Sequence, residues 1–558
     1  MTASRSRPMT ALAVGTTIVT VLAVGGCANQ SGEPTSTTTT AASGSPQATA
    51  PTTQVPDNPF LAAPVYGITH VDNAQSDTFP YPASRGTFHI DPRKMPRVPG
   101  GPVNIMTMAS TSPDYMWASS SGGVRYVDVR DGGFKQVASA DTPGIPPIST
   151  ETLDKALGQT FTDPAQVESV VRNDLKTDWT RISNGVYGLV DKDNHIYYVT
   201  QNSEIVIFGL KDPNNPAAGI EIVKRLDFKP RLTERASIGG LPEIIVGVNM
   251  TYDGKIIVLS TNAVFALDRN LEGEPQEIRF GPDEVVSNSF SIDDKGGMYI
   301  ASDKVMHKVV WTGTKLSDEP ADGAWSAFYD FGQEPPSVKF GIGTGSTPTL
   351  MGFGDDADKL VVITDGADRM KLVAFWRDAI PEGFQQKPGT GSNRIADQIP
   401  VTAGLDPAPQ FIQSEQSVVV NGYGAFVVNN IRPQGSKDRM VDVLSGGPVF
   451  DPPHGMQRFE WDTTSHNWRS AWERGDVVST SMVPSASSAS KMVFVNGYTK
   501  ADGWEVTGLD WNTGETVQRT IFGQDNLGNG AYALIQFTPN GDLLFNSVGG
   551  PFRAKLAN

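Results

Sequence analysis

The sequence predicts an all-β fold built from a repeated hairpin. In eight places a polar turn rich in Asp, Asn or Gly leads directly into a short apolar strand. The clearest copies are Asp253-Gly254 before the strand at 256–259, the turn at 293–296 before 298–300, and Asn540-Gly541 before 543–545. The looser copies begin near Asp114, Asp193, Asp358, Asn421 and Ser490. A second apolar strand follows most of these turns after roughly 12 to 20 residues, as the returning arm of a hairpin would.

The character of these strands predicts a β-propeller. Several are apolar on consecutive residues, which indicates burial on both faces, and blades stacked around an axis bury both faces of each sheet. The 57 glycines and 40 prolines among 558 residues fit a fold with many turns. We therefore predict that residues 59–558 form one β-propeller with eight blades, or seven as the alternative count, and a small helical insertion near 145–180.

The predicted insertion carries the signals of helix starts. Asp163 is a favourable N-cap, Pro164 suits the first helical position, and Gln166 stands three residues after the cap. The apolar residues at 167, 170, 171 and 175 fall on one helical face. Ser149 marks a second helix start. We interpret the insertion either as a decoration packed against the propeller or as a lid over a pocket.

Two short motifs carry a resemblance to known propellers. The segment at 509–515 reads Leu-Asp-Trp-Asn-Thr-Gly-Glu and is similar to the turn of quinoprotein repeats, and the segment at 292–301 resembles a strand of NHL-type repeats. The chain thus resembles the broad quinoprotein-like and NHL-like superfamily, which implies an architecture and not an activity. Quinoprotein alcohol dehydrogenases that stack their cofactor on a disulfide between adjacent cysteines are excluded, because the chain has one cysteine.

The N-terminus resembles the signal of bacterial lipoproteins. Arg5 and Arg7 precede an apolar run at 9–24, and Val24-Gly25-Gly26-Cys27 resembles a lipobox. The resemblance implies that residues 1–26 are a signal peptide and that Cys27, the sole cysteine, is acylated with a fatty acid such as palmitate. Residues 27–58 are rich in Ser, Thr, Pro and Ala, so we predict a lipidated, disordered tether. We expect the protein at the cell membrane, lipid-anchored on the extracytoplasmic face.

The charge of the chain limits its partners. A formal net charge of −16 at pH 7 argues against nucleic acid, which is bound by clustered lysines and arginines. The predicted partners are the membrane, through the lipid anchor, and an envelope protein or a small-molecule or glycan ligand.

Calcium is the metal that the acidic residues suggest, because hard cations take several carboxylate and carbonyl oxygens. Five aspartates flank one predicted strand at 360–363, and these candidate metal ligands are Asp355, Asp356, Asp358, Asp365 and Asp368. The strand spans about 13 Å, so the first three and the last two leave opposite ends and cannot share one ion. Turn aspartates that cap their own backbone are the alternative interpretation.

A second candidate site lies at the predicted channel. Innermost propeller strands line a central channel, so the hydroxyls of Ser346, Thr347 and Thr349 are candidate ligand-binding groups. Arg369 follows the next strand and is a candidate at the other mouth. An aromatic stretch holds Trp461, Trp468 and Trp472, together with His454 and His466, and either packs between blades or forms a sugar-stacking face.

Strong catalytic signatures are absent from the sequence. It has no Gly-x-Ser-x-Gly elbow, no His-Glu-x-x-His helix and no Gly-x-x-x-x-Gly-Lys phosphate loop. The sequence therefore predicts a lipid-anchored extracytoplasmic binding or assembly module at the cell envelope. The alternative is a propeller enzyme whose site lies at the channel mouth, as a calcium-assisted hydrolase or lactonase or as a quinone-dependent oxidoreductase. Propeller sites draw single residues from several blades, so catalytic residues cannot be named from linear motifs.

Overall fold

The computed structural model describes residues 54–103, 106–178, 184–185, 187–235, 240–333, 339–436 and 438–556. The predicted signal peptide, Cys27 and the tether up to residue 53 lie outside the described residues. The end of the predicted tether already contacts the β-sheets: Tyr252 donates a hydrogen bond to the Pro56 carbonyl at 2.9 Å, and the Asn58 amide donates to the Met250 carbonyl at 3.0 Å. None of the helices in the described ranges is long and apolar enough to cross a membrane.

The strands form antiparallel sheets whose members follow one another along the chain. Two short strands come first, β1 (Thr78–Phe79) and β2 (Gly86–His89). Blades 1 to 3 contain β3 (Met106–Ala109), β4 (Tyr115–Ser120), β5 (Gly123–Asp128), β6 (Lys135–Asp141), β7 (Leu189–Val190), β8 (Ile196–Val199), β9 (Glu204–Leu210), β10 (Ile220–Asp227), β11 (Ile245–Met250), β12 (Ile256–Ser260), β13 (Ala263–Leu267) and β14 (Gln276–Arg279). Blades 4 and 5 contain β15 (Ser291–Ile292), β16 (Gly297–Ala301), β17 (Val305–Trp311), β18 (Leu316–Ser317), β19 (Trp325–Phe328), β20 (Thr349–Met351), β21 (Leu360–Thr364), β22 (Lys371–Trp376) and β23 (Ile395–Pro400).

The remaining strands complete the fold. Blades 6 and 7 contain β24 (Val419–Asn421), β25 (Gly424–Val428), β26 (His454–Asp462), β27 (Asn467–Val478), β28 (Ser485–Ser487), β29 (Met492–Thr499), β30 (Gly503–Asp510) and β31 (Thr516–Gly523). The C-terminal sheet contains β32 (Ile535–Phe537), β33 (Leu543–Ser547) and β34 (Gly550–Ala554). β1 and β2 add parallel to the inner and outer edges of blade 7.

The predicted count of eight blades is wrong. Within the described residues seven sheets are blades of four or more strands, and the C-terminal sheet has three strands. The sequence signal marks the turn before the second strand of a sheet, so it counts hairpins and not complete blades. The hairpin of β33 and β34 gave the eighth signal. Among the described residues, an isolated bridge between Arg97 and Phe552 lies beside β34 in place of a fourth strand.

The predicted burial of the strands on both faces is confirmed. Consecutive residues of β12 and β21 are all buried, and apolar clusters fill the spaces between neighbouring sheets. Between blades 5 and 6, for example, Trp376 and Trp461 pack edge to face with ring centroids 6.1 Å apart. The sheets therefore stack side by side, which is the packing of a β-propeller.

The N-terminal residues 66–79, which we call the plug, fill the centre of the propeller. The plug accepts or donates hydrogen bonds at the first strand of every blade and of the C-terminal sheet, which identifies those first strands as the innermost ones. The backbone amides that donate to plug carbonyls are Ala109 (2.8 Å), Val190 (2.8 Å), Ile292 (2.9 Å), Leu350 (3.0 Å), Val420 (3.0 Å) and Ala486 (2.8 Å). The Asn73 amide donates to the Met250 carbonyl at 3.0 Å, and the Tyr66 hydroxyl donates to the Phe537 carbonyl at 3.3 Å.

The backbone of the plug is unusual. Tyr66, His70, Val71, Gln75 and Asp77 have positive φ angles between 54° and 77°, a region that residues with a Cβ rarely adopt. Such conformations persist only where the surroundings over-determine them. The ring of hydrogen bonds to the innermost strands supplies that constraint.

Three helices lie at one end of the propeller, and we call them the cap. They are α1 (Thr150–Leu157) and α2 (Pro164–Ser169) between blades 1 and 2, and α3 (Arg439–Ser445) inside blade 6. A single π-helical turn, Val170–Asp174, continues α2. The helical insertion is confirmed, as is the N-cap, since the Asp163 carboxylate accepts from the Gln166 amide at 3.0 Å and Ser149 caps α1. One apolar cluster joins all three helices to the connections at 431 and 527–531.

Candidate functional site

The connections that lead into the innermost strands meet under the cap and enclose a buried polar cluster. Tyr187 precedes β7, Asn288 precedes β15, Thr347 precedes β20, and Glu415 precedes β24. Because every blade delivers its chain to the same end of the channel, these residues come together although they are far apart in sequence. We call this cluster, with His70 and Asp77 of the plug, the capped mouth.

A chain of polar contacts joins the plug to this cluster. His70 Nδ1 lies 2.8 Å from Asp77 Oδ1, and both side chains are buried. The His70 ring stacks on Tyr187 with a centroid distance of 5.6 Å, and the Tyr187 hydroxyl donates to Asn288 Oδ1. Burial raises the pKa of Asp77, and the neighbouring His70 opposes that rise. The plug therefore contacts the blade connections at this end through ring stacking as well as through backbone hydrogen bonds.

Glu415 and Lys339, whose charges influence each other, are both buried, and nearby groups offset only part of the cost of burying their charges. Burial raises the pKa of Glu415 to about 8, and the positive charges of Arg439 and Lys339 offset only part of that effect. Burial lowers the pKa of Lys339 to about 7, and its amine donates to Gln413 Oε1 at 2.6 Å. At neutral pH Glu415 is therefore mainly a neutral carboxylic acid. Such shifts are frequent at functional sites and also occur in structural networks.

A narrow cleft leads from solvent to Glu415. It has a volume of about 40 Å³ and runs between α3 and the connection at 480–481. Asn430 and Ser481 line it beside Glu415. Arg432 and Asp442 form an ion pair in its wall, with an Nη2 to Oδ1 distance of 3.2 Å. This volume has room for water and is too small for a substrate.

The structure brings two of the predicted ligand residues to the capped mouth. Ser346 and Thr347 are buried there, and the Thr347 hydroxyl donates to Asn288 Oδ1 at 3.2 Å. Thr349 does face the channel, but its hydroxyl contacts the Gln75 carbonyl of the plug at 3.2 Å and the Val418 carbonyl at 2.9 Å. The group predicted to meet a ligand therefore meets the chain's own plug.

Arg369 lies elsewhere, and not at the opposite mouth. β20 and β21 are antiparallel with Thr349 opposite Val362, so the end of β21 returns to the end where Thr347 lies. Arg369 is exposed there, and its guanidinium donates to the carbonyls of Ala408 at 2.7 Å and Pro409 at 2.8 Å. It bridges blade connections and does not point into the channel.

The five predicted metal aspartates separate into two groups, as the strand length required. Asp358 Oδ2 accepts from the Trp461 indole at 2.8 Å and lies 3.0 Å from His466 Nδ1. Asp356 accepts from the Phe353 amide at 2.8 Å, and Asp355 is exposed in the same turn. At the other end Asp365 is buried, with Oδ2 2.6 Å from Lys371 Nζ, while Asp368 is exposed.

Two further observations bear on the chemistry suggested by the sequence. Across the described part of the chain, no three His, Cys, Asp or Glu side chains are grouped closely enough to hold a metal ion. In the aromatic stretch Trp461 and Trp468 belong to the apolar cluster between blades 5 and 6, which confirms the blade-packing interpretation for these two residues. The capped mouth was missed because its members share no motif, and only the expectation of converging innermost strands pointed to that region.

Comparisons with known proteins extend this picture only slightly. No family model matches the chain. An uncharacterized protein of Archaeoglobus fulgidus is 31% identical over 343 residues, which are 57% of this chain and 63% of that protein. The chain therefore spans less than two thirds of the length of this relative.

Two solved structures are similar to this chain in the overall path of the backbone. A europium-containing methanol dehydrogenase is 10% identical with a TM-score of 0.48, and the match covers 87% of this chain and 89% of that one. BamB from Moraxella catarrhalis is 12% identical with a TM-score of 0.42, and the match covers 83% of this chain and 96% of that one. At these levels of similarity the fold rests on the sheets and the registers described above.

Proposed function

We propose that this protein is a lipid-anchored extracytoplasmic β-propeller that acts as a binding or assembly module at the cell envelope. The observation that carries this proposal is the plug, which occupies the channel where a propeller would otherwise hold a small molecule. A ligand or partner then meets the outer surface. The lipobox-like segment before Cys27 supports the anchor, and the predicted tether between Cys27 and the first sheet contact at Pro56 supplies reach from the membrane.

The anchor is tested by changing the single cysteine. In cells fed labelled palmitate, the wild type should carry label and sediment with membranes, whereas Cys27→Ala should carry none and leave the membrane fraction. Ser31→Ala, a change in the tether, is the matched control and should behave as the wild type. Label retained by Cys27→Ala would refute acylation at this residue.

The binding role is tested separately with the unanchored variant. Fluorescently labelled Cys27→Ala protein is added to isolated envelopes of the same cells, and the bound fraction is measured against concentration. We expect saturable binding that an excess of unlabelled variant displaces. Binding that rises linearly, or none at all, would contradict a binding module even if the palmitate experiment succeeds.

The alternative, an enzyme at the capped mouth, is favoured by one observation. Glu415 keeps its proton near neutral pH, and Lys339 loses its proton readily, so the two could act as a general acid and a general base. The cap would have to open, because the cleft at Glu415 is only about 40 Å³. Hydrolysis of simple lactones by the wild type that is lost in Glu415→Gln, with unchanged thermal stability at pH 5, would favour this alternative.

A further inference from the structure

A pocket of about 230 Å³ lies outside the channel, between blades 6 and 7. One wall is the end of β27, with Arg474, Asp476 and Val478. The other wall is formed by β30 and β31, with Glu505, Thr507 and Arg519. Gly497 allows the two blades to approach, since a Cβ there would lie 2.5 Å from the Val478 carbonyl oxygen. The pocket is thus fixed by strands of two blades.

The lining of the pocket is polar, whereas the core of the interface between blades 6 and 7 is apolar. Elsewhere in their interface the two blades meet through an apolar cluster that includes Val428, Val495 and Leu509. Along β30 of blade 7 the side chains on this face change from apolar to polar at Thr507, which pairs with Arg519 of β31. Glu505 follows on the same face and is only 8% exposed, and the Thr507 hydroxyl donates to its Oε1 at 2.7 Å. A buried carboxylate costs stability where an apolar residue would suffice, so this strip is unexpected for packing alone.

The charged side chains of the pocket form ion pairs, and each of the two walls carries its own pair. The Arg519 guanidinium contacts Glu505, and it donates to Asp502 Oδ2 at 2.7 Å. Arg474 binds Asp476 through two hydrogen bonds of 2.7 Å each, and this interaction lowers the pKa of Asp476. The lining therefore offers strong donors and strong acceptors side by side, with no excess of either charge among Arg474, Asp476, Glu505 and Arg519.

We propose that this pocket binds a saccharide, one sugar unit at a time. Sugar hydroxyls donate to carboxylates and accept from guanidinium groups, so they can use both partners of each ion pair. Val478, on the same face of β27 as Arg474 and Asp476, supplies an apolar surface for the C–H face of a sugar ring. The pocket is smaller than the usual site of a drug-sized ligand, which limits it to one ring or the end of a chain.

The same lining argues against other classes of ligand. A phosphate or sulfate ester needs unpaired positive charge, but Arg474 and Arg519 are each bound to carboxylates. A purely apolar ligand would displace water from four charged groups and offer them no hydrogen bond in return. The inference deepens the proposed binding role by naming glycans of the envelope as the ligand class.

The test uses the full-length protein and methyl glycosides of glucose, galactose, mannose and N-acetylglucosamine as probes at millimolar concentration. Saturation-transfer NMR reports binding without knowledge of the natural ligand. We expect a signal from at least one glycoside. Thr516→Trp, which places a large side chain at the exposed start of β31, should weaken it about tenfold or more. Asp476→Asn removes a carboxylate acceptor for sugar hydroxyls and should weaken the signal severalfold. Because Asp476 is 70% exposed, this replacement leaves the fold intact.

The matched control is Lys135→Trp, which places the same bulk at the exposed start of the outer strand of blade 1. It should bind as the wild type does. No signal with any glycoside, or equal signals from Thr516→Trp and Lys135→Trp, would overturn the saccharide site. Saturable envelope binding by the Cys27→Ala protein in either case would leave the general binding role standing, so the two failures can be told apart.

Discussion

The replacement Glu415→Gln tests whether the capped mouth is a buried acid. Burial raises the pKa of Glu415 from the ordinary value of 4.5 to about 8. The folded protein therefore holds this proton more tightly than the unfolded chain does. Its contribution to stability is fully present below pH 4.5 and is lost as the pH rises to about 8, the value in the folded state. Glutamine has nearly the same shape as the neutral acid and does not titrate.

The expected size follows from the two pKa values. Each pH unit between them lowers the free energy of unfolding by about 1.4 kcal/mol. Between pH 5 and pH 7 the wild type should therefore lose about 3 kcal/mol that Glu415→Gln does not lose. Burial lowers the pKa of Lys339 to about 7, so its effect is of opposite sign, a gain in stability that develops mainly above that pH. Asp72, whose pKa burial raises to about 7, acts equally in both proteins.

The assay is urea unfolding of the full-length proteins from pH 5 to pH 8, followed by tryptophan fluorescence. The quantity compared is the difference in unfolding free energy between wild type and variant at each pH. Glu515→Gln, at an exposed turn, is the control and should show a constant difference. If the difference for Glu415→Gln is also constant from pH 5 to pH 7, Glu415 titrates normally and the burial argument fails.

Three further changes test the plug, the blade packing and the metal prediction. Asn73→Ala removes hydrogen bonds to Asn249 and Met250, so we expect the free energy of unfolding to fall by about 1–3 kcal/mol. Hydrogen exchange should become faster in residues 66–79 alone, and unchanged exchange there would contradict a bound plug. Trp376→Ala should cost about 3–5 kcal/mol in urea unfolding, because the ring is buried between blades, and a loss below about 1 kcal/mol would refute tight packing there. Millimolar calcium or EDTA should leave the Tm unchanged, since the carboxylates of Asp358 and Asp365 already accept hydrogen bonds, and a rise with calcium would reveal a cation site.

The strands were predictable because the signal is local. Each of the eight polar turns found in the sequence precedes the second strand of a sheet, from Tyr115 in β4 to Leu543 in β33. A turn needs Asp, Asn or Gly, and a doubly buried strand needs consecutive apolar residues, so both are written in a few neighbouring positions. The predicted blade count was wrong, because the number of strands beyond each hairpin depends on pairing between distant segments, which a local signal does not record.

The capped mouth could be predicted only as a region. Thr347 was found because it lies just before an innermost strand, and Glu415 lies in the corresponding connection one blade later. Nothing in the residues around Glu415 marks it as special. Its raised pKa arises from burial, which the charges of Arg439 and Lys339, both distant along the chain, only partly offset. Site chemistry of this kind depends on tertiary packing and leaves no motif.

The plug was missed for a related reason, and it changes how the whole molecule is interpreted. Residues 66–79 contain no long apolar run and no alternating pattern, and five of their non-glycine residues adopt positive φ, so no periodic signal exists to be found. Their conformation is imposed by the innermost strands, whose free edges would otherwise face the channel. Since the chain satisfies those edges itself, the centre of this propeller is structural. Binding is then expected where paired charges remain open to solvent, as they do between blades 6 and 7.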